Sequence, residues 1–177
     1  MNRPAVVAAF FVLISAASAS GQHPDYSGIW TLEEPSASAR PSVASVGDAA
    51  FRSGDMGSGW GAQITIAQNA AQLSVEYAVF STYDLQPPIK LVYALDGSES
   101  RNSVMIGHSA SEQRARVTWR NSTLVITTAH PLPGGSGTTA TLHALTLESP
   151  TTLVVETTRM GAAGSAPKVT RSVYRKG

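Results

Sequence analysis

The sequence predicts an all-β domain, built as an antiparallel up-and-down barrel of about eight to ten strands. Apolar and polar residues alternate with a period of two along most of the chain, which is typical of half-buried strands. Short turn signals separate these alternating runs, and one hairpin pattern recurs. A meander of this many strands exposes two edges unless it closes, so we expect a barrel.

The alternation assigns one apolar face to each predicted strand. In the first clear case, Ile64 and Ile66 alternate with Gln63 and Thr65. Valine, threonine, tyrosine and tryptophan, which suit a pleated surface, are frequent in these runs. The residues expected to face inward are Ile64, Ile66, Leu73, Val75, Leu91, Val117, Leu124, Ile126, Leu153 and Val155.

The turn signals are short enough to form antiparallel hairpins. They are Asn69-Ala70-Ala71, Asp96-Gly97-Ser98, Asn121-Ser122 and Glu148-Ser149-Pro150. A similar hairpin begins at Ile64, at Val117 and at Leu145, with uneven spacing between the copies. This unevenness indicates a meander of hairpins and not a solenoid.

One long segment lacks the alternation. From Glu33 to Gly61 the chain is rich in Ser, Ala and Gly, and it exceeds the usual length of a connection between strands. We expect a long flexible loop after the first strand, or a lid over the mouth of the barrel.

The N-terminus carries the features of an export signal. Residues 1–19 combine Arg3, an apolar run over 5–14 and the cleavage site Ala17-Ser18-Ala19. We therefore expect a signal peptide over 1–19, a single barrel domain over 20–177, and a secreted or periplasmic protein. The apolar run is too short to span a bilayer, so no integral membrane span is expected. The chain has no Cys, which excludes disulfides and lipid attachment through a lipobox Cys.

The charge balance excludes a class of partners. The chain has 13 Lys and Arg, 12 Asp and Glu, and a formal net charge of +1. Removal of Arg3 with the signal makes the two counts equal. A neutral chain has no long-range attraction for a polyanion, so we expect no nucleic-acid partner.

The two ends of the predicted domain resemble those of a known family. The mature chain opens with Asp25-Tyr26-Ser27-Gly28-Ile29-Trp30-Thr31-Leu32. This Gly-x-Trp start resembles that of lipocalins and the wider calycin group, and most of all that of secreted bacterial lipocalin-like proteins. The last predicted strand, Thr170 to Lys176, is similar to theirs.

The resemblance implies how the barrel closes. A basic residue of the last strand, Arg171 or Arg175, would pack across Trp30 and close the base, and Gly28 would permit close approach there. The inward-facing apolar residues, with Trp30 at one end, favour a small apolar molecule in the interior. The aromatic residues expected to line the interior or the mouth are Trp30, Trp60, Phe80, Tyr83, Tyr93 and Trp119.

The sequence offers little catalytic chemistry. His108 and His143 fall on predicted inward faces, where two imidazoles would bind a metal if they converged. His130 precedes a proline and is expected in a solvated loop. No nucleophile elbow occurs, so we assign no catalytic residue and expect no cofactor.

Three functions remain open. The first is binding of a small apolar molecule. The second is an interaction or inhibitor-like module that presents its N-terminal tail or residues 80–88 to a protein partner, and the third is a metal protein or enzyme.

Overall fold

A computed structural model describes residues 23–33, 59–78, 87–106, 109–131, 137–160 and 166–177. These residues form ten β-strands and contain no helix. The strands are β1 (Gly28–Leu32), β2 (Gln63–Gln68), β3 (Gln72–Tyr77), β4 (Ile89–Ala94), β5 (Ser100–Ile106), β6 (Ser109–Arg120), β7 (Thr123–Pro131), β8 (Thr138–Ser149), β9 (Thr152–Arg159) and β10 (Lys168–Lys176).

The strands form a single antiparallel sheet that curls into a nearly closed barrel. Its order is β4-β3-β2-β1-β10-β9-β8-β7-β6-β5. The first and last strands pair, with Trp30 opposite Lys176 and Leu32 opposite Tyr174. All other ladder pairs join strands that are consecutive in the chain. The prediction of an all-β, up-and-down architecture is therefore confirmed.

Side chains close the remaining seam between β4 and β5. The backbone N–H of Val92 donates to Asn102 Oδ1 at 2.7 Å, and Asn102 Nδ2 donates to the Val92 carbonyl at 3.0 Å. The N–H of Ala94 donates to Ser100 Oγ at 2.8 Å. In a regular sheet these backbone groups of β4 would bond to the backbone of β5. Here the side chains of β5 satisfy them instead.

The barrel has two different ends. At one end, which we call the base, lie the chain from 23 to 27 and the four short turns at 69–71, 95–99, 121–122 and 150–151. At the other end, which we call the mouth, β1, β3, β5, β7 and β9 finish. The longer connections of the meander therefore start and return at the mouth.

The turns at the base contain the residue types that the sequence predicts for tight turns. Asn121 has a φ of 55° and Gly97 a φ of 83°, a region that Asn and Gly adopt more readily than other residues. The side-chain oxygen of Asn69 accepts hydrogen bonds from the N–H groups of Ala71 and Gln72. Local hydrogen bonding thus reverses the chain without a long loop.

The apolar core lines the inside of the barrel. All ten residues that the alternation assigns to the interior are buried, and they belong to one apolar cluster with Trp30 and Tyr174. Burial alternates along the strands, for example in β2, where Ile64 and Ile66 are buried and Thr65 is exposed. The sequence prediction of the core faces is confirmed.

The predicted loop or lid between β1 and β2 lies mostly outside the described residues, which cover 33 and 59–61 of that segment. In the described part of the chain, no helix has the length and apolarity needed to cross a membrane.

Candidate functional site

The base is sealed by Trp30. Its side chain is fully buried, and its indole Nε1 donates to the backbone carbonyl of Tyr26 at 2.9 Å. The ammonium of Lys176 lies 5.3 Å from the centre of its ring, within the range of a cation–π contact. This pair closes the end of the barrel at which the chain enters and leaves.

The cation over Trp30 is therefore Lys176, and the prediction of Arg171 or Arg175 is wrong. Both arginines point outward, because they alternate on β10 with the inward Ser172 and Tyr174. Arg171 pairs with Glu148 at 2.6 Å, and Arg175 pairs with Glu33 at 2.9 Å. The register of β1 and β10 places the next residue, Lys176, opposite Trp30.

Gly28 does permit the close approach that the resemblance implies. Its φ is 150°, and a Cβ at this position would lie 2.5 Å from Cε of Lys176. The absence of a side chain at Gly28 thus makes room for the lysine that covers Trp30.

Tyr26 completes the seal. Its side chain is fully buried, and its hydroxyl lies 2.9 Å from the carbonyl oxygens of both Ser122 and Leu145, to which it can donate its one proton in turn. Burial raises the pKa of Tyr26 to about 12. The hydroxyl stays protonated at physiological pH and links the N-terminal segment to the opposite wall.

A cleft of about 480 Å³ lies outside the base. It is lined by His23, Asp25, Gln68, Asn69, Ala70, Leu95 and Trp119. The Trp119 ring stacks on His23, whose ring centre is 3.8 Å away, and the ring centre of Tyr26 is 6.3 Å away. The structure therefore places Trp119 at the base.

Tyr93 and Trp60 lie inside the barrel. Tyr93 is buried on β4, burial raises its pKa with a smaller contribution from Tyr77, and a hydrogen bond with Thr128 opposes the rise. Trp60 is buried and stacks on His143, with ring centres 4.4 Å apart and planes 16° apart. Two aromatic residues that the sequence predicts as ligand contacts thus lie in the interior.

The interior wall becomes polar toward the mouth. His143 and Thr157 lie opposite each other on β8 and β9, and both are buried. The Thr157 hydroxyl is fully buried and has no hydrogen-bond partner among the described residues. A buried hydroxyl without a partner is uncommon, because the water lost on burial is not replaced.

Two basic side chains lie nearer the mouth. His130 occupies the inward series of β7 after Ile126 and Thr128, and Arg159 follows Thr157 on β9. Partial burial lowers the pKa of His130, and the charge of Arg159 lowers it further. His130 thus belongs to the end of a strand, and the expectation of a solvated loop is wrong.

Three predicted site residues, Phe80, Tyr83 and His108, lie outside the described residues. The proposed meeting of His108 with His143 is therefore untested. In the described segments, no three His, Asp or Glu side chains form a group that would hold a metal ion.

Sequence reasoning missed Lys176, Asn102, Thr157 and Arg159. The alternation on β9 carried a usable signal, because Thr157 and Arg159 continue the inward series of Leu153 and Val155. No local signal marks Asn102 as a seam residue, since its partner Val92 belongs to another strand.

No protein-family model matches this chain, and no curated protein matches it either.

Proposed function

We propose that this chain is an exported, lipocalin-like binding protein that holds one small apolar molecule inside its barrel. The observation that carries the proposal is a ten-stranded barrel with an apolar inner wall and a sealed base. Barrel diameter grows with strand number, and eight strands already suffice for one small ligand. Ten strands provide a wider interior.

The asymmetry of the ends supports the same function. Trp30, Tyr26 and Lys176 close the base, whereas Trp60 and His143 stack on each other in the interior, farther toward the mouth. Binding sites of small molecules are mostly apolar and aromatic with a few polar groups that orient the ligand. The inner wall has this composition, and a ligand would enter from the mouth.

Native mass spectrometry of the chain purified from its own host tests the proposal. We expect one small-molecule adduct, lost on denaturation, and a denatured mass that corresponds to cleavage after Ala19. A chain without an adduct that also fails to bind an apolar fluorescent probe contradicts the ligand proposal. Co-purification with a protein partner in place of a small molecule favours the interaction module instead, and retention of residues 1–19 contradicts export.

A pair of variants locates the ligand. Ala115 is buried on the inner face of β6, and Ala67 is exposed on the outer face of β2. Ala115→Leu adds volume inside the barrel and should weaken probe binding, whereas Ala67→Leu adds the same volume outside and should not. Equal affinities of the two variants would contradict an interior site, and circular dichroism confirms that both are folded.

A further inference from the structure

We propose that the ligand is an amphipathic acid, with its apolar body toward the base and its anionic group near Thr157 and Arg159. This inference rests on the proposed function and names the ligand class of the same interior site.

The inward residues of β7 to β10 form three rows in register, which change character from base to mouth. The first row consists of Leu124, Leu145, Val155 and Ser172. The second row consists of Ile126, His143, Thr157 and Thr170. The third row consists of Thr128, Thr141, Arg159 and Lys168. The inward side chains thus turn from apolar to polar at the second row on β8 and β9 and at the third row on β7, and those of β10 are polar in all three rows.

The opposite wall does not make this change. Apart from Gln68 at the base, the inward residues of β2 to β4 are apolar or aromatic: Ile64, Ile66, Leu73, Val75, Tyr77, Ile89, Leu91 and Tyr93. A polar wall that faces an apolar wall suits a molecule with both characters, because each part finds a matching surface.

The ionisable groups of the polar wall that lie nearest the mouth share one sign. His130 and Arg159 occupy half-buried inward positions, Lys168 lies exposed at the end of the same series on β10, and within the described strands no Asp or Glu occupies an inward position. The glutamates of β3 and β9, Glu76 and Glu156, lie on the outer face. This distribution favours a ligand with negative charge over a cation.

The buried hydroxyl of Thr157 also points to a ligand. Its buried hydroxyl has no partner among the described residues, and it lies one row below Arg159 on the same face of β9. Two residues along a strand correspond to about 7 Å, which a guanidinium on a flexible side chain can bridge. A carboxylate at this level would accept from the Thr157 hydroxyl and from the Arg159 fork.

The test compares three ligands of equal chain length. Dodecanoate, dodecanol and dodecyltrimethylammonium are titrated into the delipidated mature chain by calorimetry. We expect dodecanoate to bind at least about tenfold more tightly than dodecanol, and the ammonium more weakly than both. Equal affinities of dodecanoate and dodecanol, or a preference for the ammonium, overturn the anionic group but leave the proposed function intact. Absence of binding by all three overturns this inference, while an apolar probe that still binds preserves the proposed function.

Variants locate the anionic group. Arg159→Gln should reduce the ratio of dodecanoate to dodecanol affinity to near one, and Thr157→Val should reduce it in part. The control is Arg171→Gln, which removes the same charge from the outer face of β10 and should keep the full ratio. A ratio that survives Arg159→Gln, or falls equally in Arg171→Gln, overturns the assignment. Melting temperatures show whether each variant is folded, and a purely structural role of Thr157 would change melting without changing the ratio.

Discussion

The side-chain amide of Asn102 pairs with the backbone of Val92 as a peptide group of a neighbouring strand would. It accepts from the Val92 N–H at 2.7 Å and donates to the Val92 carbonyl at 3.0 Å. Asn102 is only 6% exposed, so water does not readily replace these bonds. Asn102 therefore makes two side-chain hydrogen bonds across the seam between β4 and β5, beside the one that Ser100 accepts from Ala94.

Replacement of this amide should destabilise the barrel. Asn102→Leu removes both hydrogen bonds and leaves two backbone groups of Val92 without them, so the free energy of unfolding should fall by about 2 to 4 kcal/mol. Urea unfolding followed by tryptophan fluorescence measures this change. The control is Ser103→Ala, on the exposed face of β5, which should stay within about 0.5 kcal/mol of wild type. Equal stabilities of the two variants would show that the seam does not need the amide.

Trp30 should be among the most sensitive positions of the core. Its side chain is fully buried at the base, so Trp30→Ala should lower the free energy of unfolding by about 3 to 5 kcal/mol. Thermal and urea unfolding measure the loss, with Thr31→Ala on the exposed face of the same strand as the control. A Trp30→Ala variant that melts close to wild type would contradict the role of this ring as the base seal.

The effects of Gly28→Ala and Lys176→Ala on the free energy of unfolding should be coupled only in part. Gly28→Ala places a Cβ against Lys176 and keeps a φ of 150° that L-residues rarely adopt, so we expect a loss of about 1 to 3 kcal/mol. In the double variant with Lys176→Ala the contact disappears but the backbone strain remains, so most of the Gly28→Ala loss should persist. Gly177→Ala, where a Cβ would meet nothing closer than 3.9 Å, serves as the control in urea unfolding. Full recovery in the double variant would assign the whole effect to the lysine contact.

The stability of the barrel should depend on the protonation of His130. Burial, and then the charge of Arg159, lower the pKa of His130 from 6.5, so the unfolded chain takes up this proton at a higher pH than the folded chain. Protonation of His130 therefore lowers the free energy of unfolding as the pH falls from about 6.5 through the lowered pKa of the folded chain. Above about pH 6.5 this group has no such effect. His130→Gln should lose less stability than wild type between pH 7 and pH 5. Urea unfolding at each pH measures the difference in stability between the two proteins, from which the contributions of the other histidines cancel because both proteins contain them. Identical pH profiles would contradict the prediction.

Much of the fold was predictable because its signals are local. The alternation of Ile64 and Ile66 with polar neighbours assigns an inner face without knowledge of any partner strand. Turns such as Asp96-Gly97-Ser98 and Asn121-Ser122 need only their own residues to reverse the chain. A closed meander then follows from short turns and from the cost of open edges.

The candidate site was less predictable. Trp60 and Tyr93 were expected to line the interior or the mouth, and both are buried inside the barrel. Trp119 lies at the base instead, since its strand ends there and its ring stacks on His23. A residue's position along the barrel axis depends on the direction of its strand, which the composition of that strand does not reveal.

Local sequence patterns were sufficient for the strands, their inner faces and the turns, because alternation and turn chemistry act within a few residues. Only the pairing of distant strands decided that Lys176 covers Trp30, that Asn102 closes the seam, and that Thr157 and Arg159 share one polar wall. These contacts depend on strand register, and a shift of one residue would turn every side chain to the other face.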